Sequence, residues 1–467
     1  MRLERPETPP PTLREVARDC GATYAINGLV GFIFAATGPV AVILSVGAQG
    51  GLSQGELASW IFGSFLLNGL LSMAFSWRYR MPLVFFWTIP GAVLVGPALG
   101  HLSFAQVIGA FHLAGLSMLL LGLSGWVRRA MSAVPMPIVM GMVAGVFLKF
   151  GVNVVFAIRD DVWIAAPMTA AFVVLSARPA GLRWLPPLIG TLLLGLTIIA
   201  VTGRFDPVDS GAQIWVRPLL QMPEWSWQAT VELVLPLVIT VLAAQNAQGF
   251  AVLSAAGHRA PVNAVTTACG AWSMLSAVVG SVSTCLTGPT NAIVASSGER
   301  HRHYTGAILV GLLALLFGAL APLVTRWMLA TPPAFIATLA GLAMLRVLQT
   351  AFVTSFQGRF TLGALVAFLI TVSDVTLLSV GAPFWALVFG WLTSRLLETG
   401  DFASLRAAAG QTAIGGQAVG QAGGGGDGGD SRASLRRATP SPAADLPRSA
   451  RNAPRSPSTD PRRCGPR

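Results

Sequence analysis

Between residues 22 and 398 the sequence is a succession of apolar runs joined by short polar links. A helix that crosses a bilayer needs ~20 mostly apolar residues. Runs of this kind fall at 22–46, 56–76, 82–99, 104–126, 133–157, 161–177, 184–202, 229–251, 262–282, 285–298, 304–326, 332–354, 359–378 and 381–398. That gives fourteen candidate spans. Two are irregular: 82–99 is interrupted by Pro90-Gly91, and the short 285–298 run contains Gly288-Pro289. A soluble reading fails on charge. Asp, Glu, Lys and Arg make up 11% of the chain, against about a quarter in soluble domains. The spacing and composition predict an all-α integral membrane protein.

The net charge of +12 has a location. Residues 1–21 carry four Arg and four acidic residues, and residues 401–467 carry ten Arg and five acidic residues. The last stretch is rich in Gly, Ser, Pro and Arg and has almost no large apolar side chain, so it reads as a disordered tail. With the N-terminus placed in the cytoplasm, the links on that side hold Arg78, Arg80, Arg128, Arg129, Arg178, Arg183, Arg259, Arg300, Arg302 and Arg359. The opposite links hold only Arg159, Arg204, Arg217 and Arg326. Arginine gathers on the cytoplasmic side of membrane proteins, so both termini are expected there. The basic excess is then an orientation signal rather than a nucleic-acid surface. Cys20, Cys269, Cys285 and Cys464 have no metal-ligand spacing and read as unpaired. No cofactor is expected.

The two irregular runs occupy matching positions in an internal repeat. At an offset of 196, Gly115 and Gly122 fall on Gly311 and Gly318, and Pro137 and Gly145 fall on Pro333 and Gly341. At an offset of 199, Thr88-Ile89-Pro90 falls on Thr287-Gly288-Pro289. Seven spans per half is an odd number, so the halves are expected to be inverted. Short, Gly/Pro-interrupted segments at matching positions point to a transport site. Each is expected to be an extended stretch leading into a half-helix, with Pro90 and Pro289 near the starts. The free N–H groups beyond those prolines would favour an anion.

The chain resembles the benzoate:proton symporter family (BenE) over about residues 20–400. The matching residues are Tyr79-Arg80-Met81-Pro82, Trp87-Thr88-Ile89-Pro90-Gly91-Ala92, and Ile108-Gly109-Ala110-Phe111. Further on come Gln245-Asn246, Ala251-Val252-Leu253, Ala255-Ala256-Gly257, Ala260-Pro261-Val262, Pro332-Pro333 and Leu339-Ala340-Gly341-Leu342-Ala343. The resemblance implies proton-coupled transport of an aromatic carboxylate. It also implies the seven-plus-seven inverted fold of nucleobase and sulfate-type anion transporters. In that fold a core domain (spans 1–4 and 8–11, about 22–126 and 229–326) moves against a gate domain (spans 5–7 and 12–14, about 133–202 and 332–398). A homodimer is compatible with it. In one place the chain departs from the family: Gly288 stands where the resemblance implies a histidine, three residues before Asn291.

The expected substrate site comprises Thr88, Pro90, Gly91, Gln245, Asn246, Thr287, Gly288, Thr290 and Asn291. Amides buried at membrane depth are costly unless paired, so Gln245 and Asn246 suit a substrate carboxylate or ring substituent. Helix–helix hydrogen bonding is the competing role. Gln248 divides evenly between the two. Thr290 and Asn291 can also cap their half-helix. Thr37-Gly38-Pro39 breaks the first span and either lines the same cavity or simply kinks it. Nucleobase carriers of this fold use acidic side chains in the eighth and tenth spans. Residues 240–251 and 285–298 contain no Asp or Glu, which favours an anion. Another organic or inorganic anion and a nucleobase remain the alternative cargoes.

Asp374, Glu232 and His112 are the candidates for a coupled proton. Lys149 and Arg346 lie in spans toward their ends, where snorkelling to the interface accounts for them. His301 and His303 beside Glu299 fit a solvated loop better than a catalytic cluster, so no enzyme is expected.

Overall fold

A computed structural model describes residues 3–127, 129, 134–177, 187–206, 214–296, 298–375, 377 and 381–404. Most of the tail read at 401–467 lies outside these residues, as do Arg128, Arg178 and Arg183. The helices are α1 (Leu13–Asp19), α2 (Ala22–Ala36), α3 (Gly38–Gln49) and α4 (Gln54–Tyr79), followed by strand β1 (Phe85–Trp87). Next come α5 (Ile89–Ala98), α6 (Phe104–Ser124), α7 (Met136–Asp160), α8 (Val162–Ala177), α9 (Pro187–Thr202), α10 (Trp227–Ala255) and α11 (Val262–Ala277). After strand β2 (Thr284–Leu286) follow α12 (Gly288–Val294), α13 (His303–Ala319), α14 (Ala321–Leu329), α15 (Pro333–Phe356), α16 (Thr361–Ser373) and α17 (Ala382–Leu397).

Among the described residues, seven helical stretches are long and apolar enough to cross a bilayer: Ala22–Gln49, α4, α6, α7, α10, Arg300–Ala319 and α15. The other expected runs form shorter or interrupted helices. The first run breaks at Thr37, where ψ is −87° and Pro39 opens the next helix. The 304–326 run breaks at Leu320 before Pro322. The Ser53–Glu56 and Ser103–Gln106 capping boxes start α4 and α6 by satisfying N–H groups that have no helical partner.

The helices pack in two sets. In one, α4 and α2 lie on α13, and α6 lies on α11. In the other, α7 packs on α15, and α16 packs on α7 and α17. Glycine sets the closest approaches in the first set. A Cβ on Gly311 of α13 would lie 2.7 Å from the Gly69 carbonyl of α4. A Cβ on Gly270 of α11 would lie 2.7 Å from the Gly115 carbonyl of α6. Small residues of this kind let helix backbones meet inside a membrane. The sets join where α3 meets α15, α5 meets α7, and α10 meets α7 and α17.

The two irregular runs meet as an antiparallel strand pair buried inside the first set. Phe86 faces Cys285, Phe85 faces Leu286 and Trp87 faces Thr284. The Thr88 N–H donates to Ser283 O at 2.9 Å, and the Thr287 N–H donates to Val84 O at 3.1 Å. A two-stranded pair has two open edges, and in a dry interior every edge N–H needs a partner. Side chains supply them. The Leu83 N–H donates to Ser76 Oγ at 3.1 Å, and the Phe85 N–H to Ser72 Oγ at 2.8 Å. The Val84 N–H donates to Asn291 Oδ1 at 3.0 Å. On the other strand the Thr284 N–H donates to Ser273 Oγ at 2.9 Å, and the Leu286 N–H to Asn246 Oδ1 at 2.7 Å.

By sequence residues 1–21 are a cytoplasmic segment; in the structure residues 3–21 strap one end of the first set. Glu4 accepts the N–H groups of Asn263 and Ala264 at 3.1 and 3.0 Å, capping α11. Trp77 donates to Pro11 O, Arg80 pairs with Glu15 at 2.9 Å, and Tyr304 donates to Asp19 at 2.9 Å. Burial pushes the Asp19 carboxyl up, but hydrogen bonds from Tyr304 and Arg18 outweigh it, so the net shift is downward. The Thr12 N–H holds Glu15 low, assisted by Arg80.

Two outcomes test this architecture. Ser72→Ala leaves the Phe85 N–H and C=O unpaired in the interior and is expected to cost about 1–3 kcal/mol. An unfolding midpoint in detergent equal to that of the wild type would contradict it. Because the Asp19 and Glu15 pKa values fall on folding, the strap's electrostatic support is present above their ordinary values of 3.8 and 4.5 and is lost as pH falls below them. Hydrogen exchange in residues 3–21, corrected for intrinsic rate, should rise below about pH 4 and stay flat above about pH 5.

Candidate substrate cavity

A cavity of about 920 Å³ lies between the two helix sets. Small-molecule sites span roughly 300–1,000 Å³, so it is large enough for a small organic molecule. From the first set it is lined by Val30 and Phe34 of α2, Thr37 at the break, Phe86 and Trp87 of β1, and Ile89 and Pro90 opening α5. Gln245, Gln248 and Ala251 of α10 add to it, with Thr287, Pro289, Thr290 and Ile293 around α12. From the second set come Met136, Met140 and Val143 of α7, Phe172 and Ser176 of α8, Leu188 of α9, and Ala343, Arg346, Val347 and Thr350 of α15.

The strand pair accounts for this convergence. It carries both short helices to one place, so the starts of α5 and α12 line the same space. The two starts are not equivalent. Thr88 Oγ1 accepts the Gly91 N–H at 3.2 Å and closes one free donor of α5. No side chain caps α12, where Thr287 Oγ1 instead donates to Thr290 Oγ1 at 3.3 Å. The lining is aromatic and aliphatic on its walls, with two amides and several hydroxyls. Arg346 is the one charged residue that lines it, and no Asp or Glu does, among the described residues.

Of the expected site residues, Pro90, Gln245, Thr287 and Thr290 line the cavity. Thr88, Gly91, Asn246, Gly288 and Asn291 do not. Asn246 holds the Leu286 N–H with its oxygen and approaches Cys269 Sγ at 3.8 Å with its nitrogen. Asn291 clamps the opposite strand. Its oxygen takes the Val84 N–H, and its nitrogen donates to Val84 O at 3.1 Å and Thr287 O at 2.6 Å. Both amides are committed to strand edges, and neither lines the cavity. Thr88 caps its own helix, and Gly91 leaves no room for a side chain against Thr88 and Leu237. Gly288 acts through its neighbour: a Cβ there would fall 2.6 Å from Gln248 Cδ. Without that Cβ, the Gln248 amide occupies the space and reaches the cavity.

None of the three proton candidates lines the cavity. Glu232 is buried and lies 2.9 Å from His101 Nε2. Asp374 pairs with Lys149 at 2.6 Å, with both side chains about half exposed. His112 Nδ1 lies 2.9 Å from Ile108 O on its own helix.

By sequence Arg346 sits at a span end, and neither Phe34 nor Phe172 stands out. Nothing local distinguishes those aromatics, since residues 34 and 172 come to share one cavity only when the two helix sets pack together. Arg346 did carry a signal, as a charge inside an apolar run.

A family model described as BenE, benzoate membrane transport protein, matches residues 18–396. The chain belongs to the BenE family. It is a membrane transporter and not an enzyme. Among its relatives, Inner membrane protein YdcO of Escherichia coli (strain K12) is 26% identical over 389 residues, covering 82% of this chain and 94% of that protein. The Benzoate membrane transport protein of Acinetobacter baylyi is 26% identical over 390 residues, covering 82% and 98%. The fold is shared with two solved transporters. The transmembrane domain of the cyanobacterial bicarbonate transporter BicA superposes with a TM-score of 0.57 at 15% identity, over 82% of this chain and 99% of that one. The murine anion transporter Slc26a9 gives 0.55 at 12% identity, over 84% and 71%.

For this BenE chain the geometry separates two neighbouring amides. Gln245→Ala is expected to impair transport while leaving the unfolding midpoint within about 0.5 kcal/mol of the wild type. Asn246→Ala is expected to lower stability by about 1–3 kcal/mol through the orphaned Leu286 N–H. Equal effects of the two on stability would contradict the assignment.

Proposed function

We propose that the protein is a secondary active transporter that imports benzoate or a similar aromatic carboxylate together with protons, by alternating access, across a bacterial-type inner membrane. The cavity carries the reading. Phe34, Phe86, Trp87 and Phe172 form apolar walls suited to an aromatic ring. Gln245, Gln248, Thr287 and Thr290 offer neutral donors, and Arg346 gives the space a positive field. A carboxylate would be repelled by an acidic lining, and among the described residues no acidic side chain is there. The lack of acceptors of that kind disfavours a nucleobase, whose ring N–H groups call for them. The neutral donors and Arg346 do not separate an aromatic acid from other anions, but the aromatic walls do.

Fourteen crossings in a seven-plus-seven inverted arrangement fit this reading. The glycine contacts of Gly115 and Gly311, paired by the sequence offset, support it, and so does the pairing of β1 with β2. The first helix set corresponds to the core domain and the second to the gate domain. With the N-terminus cytoplasmic, α7 and α9 begin inside, and α8 and α15 end inside. Met136, Pro187, Ser176 and Thr354 then mark the mouth of the cavity, which opens to the cytoplasm. Both termini are cytoplasmic, the lipid bilayer is the surrounding solvent, and a homodimer is compatible with the arrangement.

Labelled benzoate should enter proteoliposomes faster under an inward proton gradient and be displaced by unlabelled benzoate. Uptake that ignores both would exclude this cargo. A hydrogen bond to a charged group is worth about 1.5–3 kcal/mol. Arg346→Gln should therefore raise the KM for benzoate by roughly tenfold or more, with partial recovery in Arg346→Lys. An unchanged KM would remove Arg346 from recognition.

A further inference from the structure

Helix α10 brings Gln245 to the cavity on a wide π-helical turn, Thr240–Asn246. The same helix has a second π turn, Thr230–Val234, which begins ten residues nearer its start and is remote from the cavity. Wide turns of this kind are uncommon and gather at functional sites. This one carries Glu232. Its side chain is only 4% exposed and lies 2.9 Å from His101 Nε2, while the His101 side chain is 31% exposed. The pair thus has one end in solvent and one end in the protein.

On its other side Glu232 meets the second helix set. A Cβ on Gly381 would lie 2.5 Å from Glu232 Oε1. Gly381 is the N-cap of the 16-residue helix α17, and no side chain caps it. The carboxylate therefore abuts a helix start, where the backbone dipole favours negative charge. The turn packs against α5, α6 and α17. Other ionisable groups on or beside these elements are occupied elsewhere: Glu224 accepts from Ser103 Oγ at 3.1 Å, and His112 bonds its own helix and faces Trp225 edge-on. Arg395 lies in the last turn of α17, at the far end from Gly381. Among the described residues, Glu232 has one ion-pair partner, His101.

We propose that His101 and Glu232 form the proton-binding site of the transport cycle, acting as a latch on the side of the protein opposite the cavity mouth. This rests on the alternating-access reading above. Under that topology His101, Glu232 and Gly381 all lie on the outer side, on the seam between the two helix sets. Ionised Glu232 holds the start of α17 and keeps the outer side closed. When the seam opens, the helix start that favours the ionised carboxylate is withdrawn, so opening and protonation of Glu232 go together. His101 relays that proton from the outer water, and neutral Glu232 no longer attracts α17. By linkage, a proton that favours opening is favoured by opening to the same degree. Helix α10 then connects the latch to Gln245, about 20 Å away along its axis.

Two measurements on the full-length protein test this. The first needs no substrate. Hydrogen exchange of residues 381–388, corrected for intrinsic rate, should rise on moving from pH 8 to pH 5 in the wild type. It should be high and insensitive to pH in Glu232→Gln, and His101→Gln should shift the midpoint. A wild-type pH response retained in Glu232→Gln would overturn the proposal. In the second, Glu232→Gln in proteoliposomes should keep benzoate exchange within a few-fold of wild type and lose accumulation driven by the proton gradient. Gradient-driven accumulation retained at the wild-type level would also overturn it. Absence of benzoate exchange in the wild type would count against the cargo instead, and the first measurement would still test the latch. If Glu232→Gln fails to insert, His101→Gln, which alters a partly exposed side chain, takes its place: an exchange midpoint equal to that of the wild type would overturn the proposal.

Discussion

The structure depends on hydrogen bonding of the backbone where β1 and β2 cross. Two short strands in a dry interior expose edges that lipid and apolar side chains cannot satisfy. Ser72, Ser76, Asn246, Ser273 and Asn291 satisfy them one N–H at a time. These residues come from α4, α10, α11 and α12, so the crossing ties four helices together. Once it is fixed, the starts of α5 and α12 are fixed too, and so is one wall of the cavity. The polar residues of this set serve geometry first. A smaller group is left over to line the cavity.

That division explains the chemistry of the cavity. The amides turned toward it, Gln245 and Gln248, are the ones the backbone does not use. Gly288 makes room for the second of them. The opposite wall, from α7, α8, α9 and α15, contributes apolar bulk and one guanidinium. A partly aromatic space lined, among the described residues, by one guanidinium and no carboxylate suits an organic anion. Because its walls belong to two different helix sets, a movement between the sets would reshape it. A buried carboxylate at the start of α17 lies on the same seam.

Much of the fold is legible along the chain. Apolar runs mark the helices, and Pro90 and Pro289 mark the two short ones, because proline has no N–H to lose at a helix start. The repeat offsets pair the irregular runs, whose strands turn out to be neighbours. The roles of the amides are less legible. Asn246 and Gln245 are adjacent in sequence and equally polar, yet one faces a strand edge and the other the cavity. The wide turn at Thr240–Asn246 sets that rotation, and no residue in it announces the turn.

The sequence by itself determined that this is a membrane protein, where its apolar runs lie, that the runs at 82–99 and 285–298 are irregular, and that no carboxylate enters them. These follow from local rules: apolar length, proline chemistry and the cost of burying charge. Only the tertiary structure decided which polar groups remain for a ligand, that Phe34, Phe172 and Arg346 share one cavity, and that Glu232 faces His101 and Gly381. Those facts depend on contacts between residues more than a hundred positions apart, and hydrogen-bond satisfaction in a dry interior allots each polar group its partner only when the helices have packed.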